Sequence, residues 1–159
     1  MRRKDREVTD IDRIFDIVSG CSVAHVGMID HGRPYVVALN FGYERKDNRL
    51  ILYFHSACEG RKIDILKENP NIYVQMNYGD EFVGAGEENP CACSWRYDSV
   101  MGEGTVEFIE TPEEKAHGLN CIIRHLGKSE DNFRFPFERL KRTCVFRACI
   151  ENPTGKHHD

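Results

Sequence analysis

The amino-acid sequence predicts a mainly β (α+β) fold, a six-stranded antiparallel barrel with flanking helices. Two observations support this fold class. Segments with the β-branched or alternating pattern of strands recur along the 159 residues, and the helical segments lie at the ends and between strands without strict alternation. A doubly wound sheet would need more crossover helices. We therefore expect one domain at residues 1–151, followed by a loose polar C-terminal tail at residues 152–159.

The first element is predicted to be an amphipathic helix that stops at Gly20. Thr9 and Asp10 are suitable N-cap residues, and glycine is a typical residue at a helix end. Between them, apolar residues recur at the spacing of one helix face. These residues are Ile11, Ile14, Phe15 and Val18. We expect this helix to cover one face of the barrel.

Six later segments are predicted to be strands from their composition and periodicity. They cover residues 21–30, 33–43, 50–54, 72–76, 97–109 and 144–151. His31 and Gly32 form a tight turn between the first two, so the chain begins as a meander. Gly102 and Gly104 in the fifth strand indicate a bulge or a close approach of another backbone.

Three further helices are predicted between these strands. One begins at Arg61 and ends at Asn69-Pro70, because the residue before a proline disfavours helix. The second begins at Thr111, where Thr-Pro-Glu-Glu combines a capping box with proline at the first helical position, and it ends at Gly127. The third is a short helix at residues 136–142. The stretch at residues 84–93 is predicted to be a loop.

The charge balance excludes several classes of protein. Twenty-two basic residues oppose 26 acidic ones, which gives a formal net charge of −4. A basic nucleic-acid-binding protein and a membrane-surface protein are therefore not expected. No apolar run approaches the roughly 20 residues of a membrane-spanning helix, and the charged N-terminus does not resemble a signal peptide. With seven irregularly spaced cysteines, we expect reduced thiols and a cytoplasmic protein.

The segment from Phe54 to Lys62 carries the strongest chemical signal. A strand end leads through a small-residue loop containing Gly60 into a helix that begins with Arg61 and Lys62. Free backbone N–H groups, the positive end of the helix dipole and two cations would meet there, as a phosphate monoester requires. The same two cations are equally expected on the solvated face of a surface helix.

Several blocks in order resemble the FMN-binding split β-barrel superfamily, which includes pyridoxamine 5′-phosphate oxidase, and most closely its nitroimidazole-resistance (Nim-type) branch. Each block is weak alone, but the ordered set covers nearly the whole chain. After the opening helix, the blocks are Pro34–Phe41, Leu52–Lys62, Asn69–Asn71, Tyr97–Gly104, Thr111–Lys115 and Thr154–Lys156.

This resemblance implies a split barrel that forms a homodimer with FMN at the interface. It implies that Arg61 and Lys62 hold the phosphate near Ser56, and that the main chain of residues 37–40 bonds the pyrimidine part of the flavin ring. Residues of the long strand would line the same cleft, from the same chain or from the partner. The implied cofactor-binding residues are Val37, Ala38, Leu39, Asn40, Phe54, His55, Ser56, Arg61, Lys62, Tyr97, Ser99 and Val100.

His55 is the candidate catalytic residue, because in the Nim-type branch a matching histidine lies beside the flavin. Imidazole can donate a proton to a reduced acceptor near neutral pH. The alternative is that His55 lies near the cofactor without a role in proton transfer. Some relatives carry proline at the positions of Ala38 and Cys58, which affects local rigidity but leaves the main-chain groups in place.

No metal site is predicted. Cys91 and Cys93 lack the C-x₂-C spacing common in zinc sites, and no second cysteine–histidine pair lies nearby in sequence. We expect His157 and His158 to be solvated in the tail. Asp98 is expected at an exposed strand position, with Glu103, Glu107 and Glu110. Trp95 and Tyr97 either stack on a ligand or anchor the core or a dimer interface.

The first functional hypothesis is an FMN-dependent oxidoreductase that passes electrons from NAD(P)H or another donor to a small electrophile, with a nitroaromatic compound as one candidate. The chain has no Rossmann G-x-G-x-x-G motif, so a nicotinamide would dock transiently on the flavin. The second hypothesis is a non-catalytic FMN protein for storage, sensing or electron transfer. A third is a haem-binding split barrel. Its candidate axial ligands are His25, His55, His117 and His125.

Overall fold

The computed structural model describes residues 3–84 and 89–159. Its helices are α1 (Ile11–Gly20), α2 (Arg61–Glu68), α3 (Pro112–Gly127) and α4 (Phe137–Arg142). Its strands are β1 (Glu7–Val8), β2 (Val23–Asp30), β3 (Arg33–Asn40), β4 (Gly42–Lys46), β5 (Arg49–Ser56), β6 (Asn71–Val83), β7 (Ser94–Ile109), β8 (Cys144–Ile150) and β9 (Thr154–His158). Short 3₁₀ turns precede β1 and β7. The predicted loop at 84–93 lies partly outside the described residues.

The mainly β, α+β class with an antiparallel sheet is confirmed, but the count of six strands is not. Residues 33–43, predicted as one strand, form β3 and β4 with a break at Phe41. The break follows from a change of partner, since β3 pairs with β2 whereas β4 pairs with β5. The apolar alternation continues through Phe41, so the sequence pattern alone does not show the break.

The C-terminal tail is not loose, which corrects the expectation from its polar composition. Residues 154–158 form β9, which pairs with β7 on one side and with β1 on the other. Gly155 is buried there, and a Cβ atom at this position would lie 2.9 Å from the Cβ of Val8. Backbone hydrogen bonds to its two neighbours hold this strand, and Gly155 allows it to pack closely against Val8. A hydrophobicity pattern detects neither feature.

The strands form one antiparallel sheet in the order β3-β2-β6-β7-β8-β5-β4, with β9 and β1 added beside β7. The sheet is not closed, and β3 and β4 are its two ends. These end strands are nevertheless joined by the single residue Phe41, which is fully buried. The covalent connection therefore curls the sheet and brings the end of β3 close to β5.

The main core lies inside this curl. α1 contributes Ile14, Phe15 and Val18 of its predicted apolar face, and Ile17 in addition. α2 contributes Ile63 and Leu66. Asp10 caps α1 by accepting a hydrogen bond from the backbone N–H of Arg13 at 2.8 Å. A second, smaller cluster lies under α3 on the outer face of the sheet. Its members are Tyr53, Ile109, Cys121, Ile122 and Val145.

Two glycines in β7 mark a close approach and not a bulge. A Cβ atom on Gly102 or Gly104 would lie 2.5 or 2.4 Å from side-chain carbons of Ile150. The pairing of β6 with β7 runs unbroken past both glycines, and the register shifts between Tyr78 and Glu81 instead. The glycines therefore make room for a core side chain on the neighbouring strand.

Asp98 on β7 is buried, contrary to the expectation of an exposed position. Its carboxylate accepts a hydrogen bond from Nδ1 of His157 at 2.9 Å and lies 3.6 Å from Nη2 of Arg13. The hydrogen bond to Asp98 raises the pKa of His157 above its ordinary value of 6.5. His158 also bonds within the fold, to Ser94, so neither histidine is simply solvated. Asp98 thus ties α1, β7 and β9 together.

The raised pKa of His157 predicts a pH-dependent contribution to stability. Protonated imidazole strengthens the bond to Asp98, so the contribution is complete below pH of about 6.5 and disappears as the pH rises through the raised pKa. We expect His157→Gln to lower the melting temperature at pH 6 more than at pH 8.5. The part of the free energy of unfolding that His157→Gln removes at pH 6 but not at pH 8.5 should stay below about 1 kcal/mol, because 38% of the His157 side chain is exposed.

Thermal melts across this pH range check the prediction. His25→Gln, at an exposed position on β2, is the matched control and should show no such pH dependence. In an Asp98→Asn background, His157→Gln should also lose its pH dependence. An equal loss of stability at both pH values would contradict the assignment.

Candidate functional site

The edge of the sheet at β3 presents unpaired backbone groups. Within the described residues, β3 pairs with β2 alone. The two-residue turn at His31 and Gly32 has positive φ at both positions, as a type I′ hairpin requires. Counting from the closing pair of Asp30 and Arg33, alternate residues direct their N–H and C=O groups away from β2. Pro34 fits this pattern, because it has no N–H to leave unpaired.

The same alternation places Ala38 and Asn40 with their backbone groups toward the open edge. Both residues are exposed, whereas Val37 and Leu39 are half-buried against the core. The Asn40 side chain donates to the carbonyl of Ser22 at 2.9 Å, which fixes the end of the strand. Of the predicted strand 37–40, two residues are therefore open to a ligand through their main chain.

The end of β5 lies beside this edge. β4 pairs with β5 from Gly42 opposite Tyr53, and Asn40 precedes Gly42 by two residues across the break at Phe41, whereas His55 follows Tyr53 by two residues. His55 is exposed, whereas Phe54 is fully buried and stacks on Phe146 at a centroid distance of 5.4 Å. Phe54 therefore supports the site from the core, and only its neighbours His55 and Ser56 can face a ligand with their side chains.

The N-terminus of α2 lies at the other end of the β3 edge. Arg61 donates from Nε to Asp30 at 2.8 Å, with Nη2 also 2.7 Å from that carboxylate, and its guanidinium lies 4.5 Å from the Tyr35 ring centroid. Asp30 and Tyr35 belong to the β2–β3 hairpin. The phosphate-binding candidate Arg61 thus ties α2 to the hairpin, and Asp30 neutralises much of its charge.

Lys62 differs from Arg61 in this respect. It is half-buried, and within residues 3–84 and 89–159 it makes no ion pair with a carboxylate. Gly60 before it has φ of 121° and no side chain that caps α2, and a Cβ atom there would meet nothing within 4 Å. An uncompensated cation therefore lies beside an uncapped helix N-terminus with open space in front of it.

The predicted residues of β7 do not join this group within one chain. Ala38 of β3 pairs with His25 of β2, and His25 pairs on its other side with Gln75 of β6. Gln75 in turn pairs with Met101 of β7. β7 is therefore three strand spacings, about 14 Å, from the β3 edge. Val100 is fully buried, and its backbone lies between β6 and β9. Its side chain is therefore not accessible to a ligand.

The other two β7 candidates are also held within the fold. Ser99 is buried and lies between Asn77 of β6 and Lys156 of β9. Tyr97 is half-buried, and its ring lies 5.2 Å from Nζ of Lys156. Tyr97 is the one residue of the predicted β7 set that retains substantial accessible surface.

The four histidines considered for haem occupy different environments. His125 donates from Nε2 to the carbonyl of Cys21 at 2.7 Å, and burial lowers its pKa. His117 contacts Glu44 at 2.9 Å. His25 and His55 are exposed on β2 and β5. Two of the four side chains are therefore already engaged within the fold.

The group at the β3 edge fits a flavin mononucleotide in its chemistry. A phosphate requires N–H donors and uncompensated positive charge, which the start of α2 and Lys62 supply. The polar edge of the ring requires fixed main-chain donors and acceptors, which Ala38 and Asn40 supply. A cavity of about 690 Å³ between β6, β7 and β8 fits poorly, because Glu103 and Glu151 line it and no lysine or arginine is among its described lining residues.

The curled antiparallel sheet, with helices on both of its faces, has the architecture of a split β-barrel. The chain belongs to the pyridoxamine 5′-phosphate oxidase family, whose sequence profile matches residues 10–157. Within the described residues, no helix is both long and apolar enough to cross a membrane.

Solved structures of related proteins agree with this membership. A proposed 5-nitroimidazole antibiotic resistance protein from Bacteroides thetaiotaomicron is 36% identical, with a TM-score of 0.80 over 94% of this chain and 85% of that chain. The flavocytochrome Anf3 from Azotobacter vinelandii is 25% identical, with a TM-score of 0.79 over 100% of this chain and 72% of that chain.

At lower identity, the FAD and heme binding protein from Mycobacterium smegmatis shares the fold alone. It is 21% identical, with a TM-score of 0.79 over 97% of this chain and 74% of that chain. No curated protein matches the chain significantly.

Sequence reasoning missed Asp30 and Tyr35, which hold Arg61. Asp30 is the last residue before a predicted turn, where acidic residues are common, and Tyr35 follows the strand alternation. Nothing in their sequence context links them to residue 61. The contact depends on where α2 lies against the hairpin, which is a tertiary property.

Proposed function

We propose that this chain binds FMN at the β3 edge and is an oxidoreductase that passes electrons from NAD(P)H or another donor to a small electrophile. The observation that carries the proposal is Lys62, a cation that makes no ion pair among the described residues and lies beside the open N-terminus of α2, next to the β3 edge. The nitroaromatic class of acceptor is suggested by the 36% identity to the Bacteroides protein.

In this proposal the chain's own residues divide the work of holding the cofactor. Lys62 and the first N–H groups of α2 bind the phosphate. Ala38 and Asn40 bond the polar edge of the ring through their main chain and set its orientation. Ser56 takes part by changing its hydroxyl partner, since it now donates to the carbonyl of Ala57 at 2.7 Å. FMN, when bound, supplies the redox chemistry.

Arg61 acts mainly by placing α2. Its guanidinium is held by Asp30 and by the Tyr35 ring, so little conformational freedom is left to lose on binding. At the position of a bound phosphate, the positive charge of Arg61 and the negative charge of Asp30 nearly cancel. Lys62 therefore contributes more to phosphate affinity than Arg61, although the sequence pattern treats the two cations alike.

His55 is proposed as the proton donor to the reduced acceptor. It lies near the end of β5, two residues beyond the partner of Gly42, and its imidazole is exposed to solvent. An exposed imidazole can reach a substrate above the cofactor and exchange its proton with water between turnovers.

A homodimer completes the proposal, because the β7 residues cannot reach the β3 edge of their own chain. An apolar face suitable for an interface lies next to that edge. Val36 of β3 and Tyr73 of β6 pair with Gly27 of β2 from its two sides. Ile29 is two residues further along β2, so its side chain lies on the same face of the sheet. All three apolar side chains are about half exposed or more, at 59%, 48% and 49%. Burying them would bring a partner chain beside the cofactor.

The phosphate assignment predicts unequal effects of the two cations. We expect Lys62→Ala to weaken FMN binding about 10- to 100-fold, because a charged hydrogen bond contributes roughly 1.5–3 kcal/mol. Arg61→Ala should have a smaller effect on affinity, and Asp30→Asn should strengthen binding by removing a nearby negative charge.

Flavin absorbance retained after desalting, followed by fluorescence titration, measures these affinities. Lys67→Ala, at the other end of α2, is the control and should bind FMN normally. Unchanged affinity in Lys62→Ala would overturn the phosphate site. If FMN is not retained and added haem gives a haem spectrum, the haem-binding alternative replaces the proposal.

The role of His55 predicts a separation of binding from turnover. We expect His55→Ala to keep FMN affinity within about threefold and to lower kcat with NAD(P)H and a nitroaromatic acceptor by roughly 100-fold or more. Steady-state NAD(P)H oxidation measures this effect. His25→Ala is a matched exposed-histidine control. If the wild-type protein binds FMN but turns over no acceptor, the non-catalytic alternative is correct.

The interface predicts that dimerisation and flavin retention are coupled. We expect Val36→Asp to shift the protein toward monomer in gel filtration and to reduce the FMN it retains. Leu126→Asp, an exposed apolar residue of α3 outside this face, should do neither. A monomeric wild-type protein that keeps FMN stably would contradict the shared site.

A further inference from the structure

A second group of reactive side chains lies away from the β3 edge, between β4 and α3. Glu44 comes from β4, whereas His117 and Cys121 lie one helical turn apart on α3. One ligand atom from each residue can be chosen so that all three atoms lie within 4.8 Å of one another. The flavin proposal uses none of these residues.

The three side chains meet at one point. Nε2 of His117 lies 2.9 Å from Oε1 of Glu44 and 3.6 Å from Sγ of Cys121. A nucleophile–base–orienter triad would place its two partners on different imidazole nitrogens. Here both partners approach the same nitrogen, so the arrangement is convergent and is typical of ligands around an ion.

The spacing also fits a tetrahedral ion. With Zn–S of about 2.3 Å and Zn–N and Zn–O of about 2.0–2.1 Å, tetrahedral angles place sulfur about 3.6 Å from nitrogen and nitrogen about 3.4 Å from oxygen. The sulfur–nitrogen distance already has this value. The nitrogen–oxygen distance needs to open by about 0.5 Å, which small side-chain rotations of partly exposed groups can provide.

The backbone that carries the ligands is closely packed. A Cβ atom on Gly42 would lie 2.3 Å from the carbonyl carbon of Cys121, so glycine lets α3 lie directly against β4. Tyr53 donates its hydroxyl proton to Oε2 of Glu44 at 2.8 Å, which leaves Oε1 directed at His117. This is the outer hydrogen bond that ligating carboxylates in metal sites commonly have.

The group is also accessible. The side chains of His117 and Glu44 are 48% and 36% exposed, so two of the three ligands are open to solvent, whereas Cys121 is buried. Glu44 and Cys121 also line a cavity of about 550 Å³ together with the basic residues Arg45, Arg124 and Lys128. An ion can therefore enter, and water can take the fourth position. Arg124 donates to Sγ of Cys121 at 3.3 Å, and its long side chain can turn toward the solvent when an ion takes that place.

We propose that Glu44, His117 and Cys121 bind one divalent zinc-type cation, with water as the fourth ligand. A thiolate, an imidazole and a carboxylate form the mixed donor set of a borderline-soft ion, and hard cations such as Mg²⁺ prefer oxygen ligands alone. One carboxylate and one thiolate balance the double charge of the ion. The proposal does not depend on flavin binding.

The experiment is a titration of the purified protein with Zn²⁺ and, separately, with Co²⁺. We expect one equivalent of Zn²⁺ to resist dialysis and to raise the melting temperature. Co²⁺ should give intense ligand-field bands of tetrahedral coordination, at longer wavelengths than oxidised flavin absorbs. Mg²⁺ should have no effect.

Variants of the ligands decide the assignment. His117→Gln and Glu44→Gln change partly exposed side chains and should weaken Zn²⁺ binding at least about 100-fold, as should Cys121→Ser if it folds. Tyr53→Phe should weaken binding about 10-fold through Glu44. Cys149→Ser and His25→Gln are the matched controls. Substoichiometric wild-type binding, or equal affinity in His117→Gln, would overturn the proposal.

Discussion

The single-residue connection at Phe41 is the constraint on which the rest of this structure depends. β3 and β4 lie at opposite ends of the strand order, yet one buried residue joins them. A flat sheet of seven strands would separate its edges by roughly 29 Å at about 4.8 Å per strand, which one residue cannot span. The sheet must therefore curl, and the curl creates the interior that α1 and α2 fill.

The same connection positions both candidate sites. On one side of Phe41, β3 is an open strand edge, and Arg61 at the start of α2 contacts Tyr35 of this strand. On the other side, Gly42 allows α3 to pack against β4, where Glu44 meets His117 and Cys121. The two sites lie close together in sequence at residues 40–44.

Charge compensation separates residues that the sequence pattern treats as equivalent. Arg61 and Lys62 are adjacent cations at a helix start, but Asp30 pairs with Arg61, whereas Lys62 has no ion pair in the part of the chain that the structure describes. Asp98 shows the same principle, because a carboxylate that a strand pattern places at the surface is buried once Arg13 and His157 surround it. In both cases the partner comes from an element distant in sequence.

The sequence by itself determined the local elements and the family. Caps, turn residues and periodicity predicted the helices, the β2–β3 hairpin and the long β7 strand, because these depend on contacts within a few residues. The ordered blocks identified the split barrel. Only the tertiary structure decided the break at Phe41 and the formation of strand β9. It also decided that Val100 and Phe54 are buried in the core and that Arg61 pairs with Asp30. These features depend on which strands become neighbours and on charges brought together across the fold, and neither leaves a periodic signal in the chain.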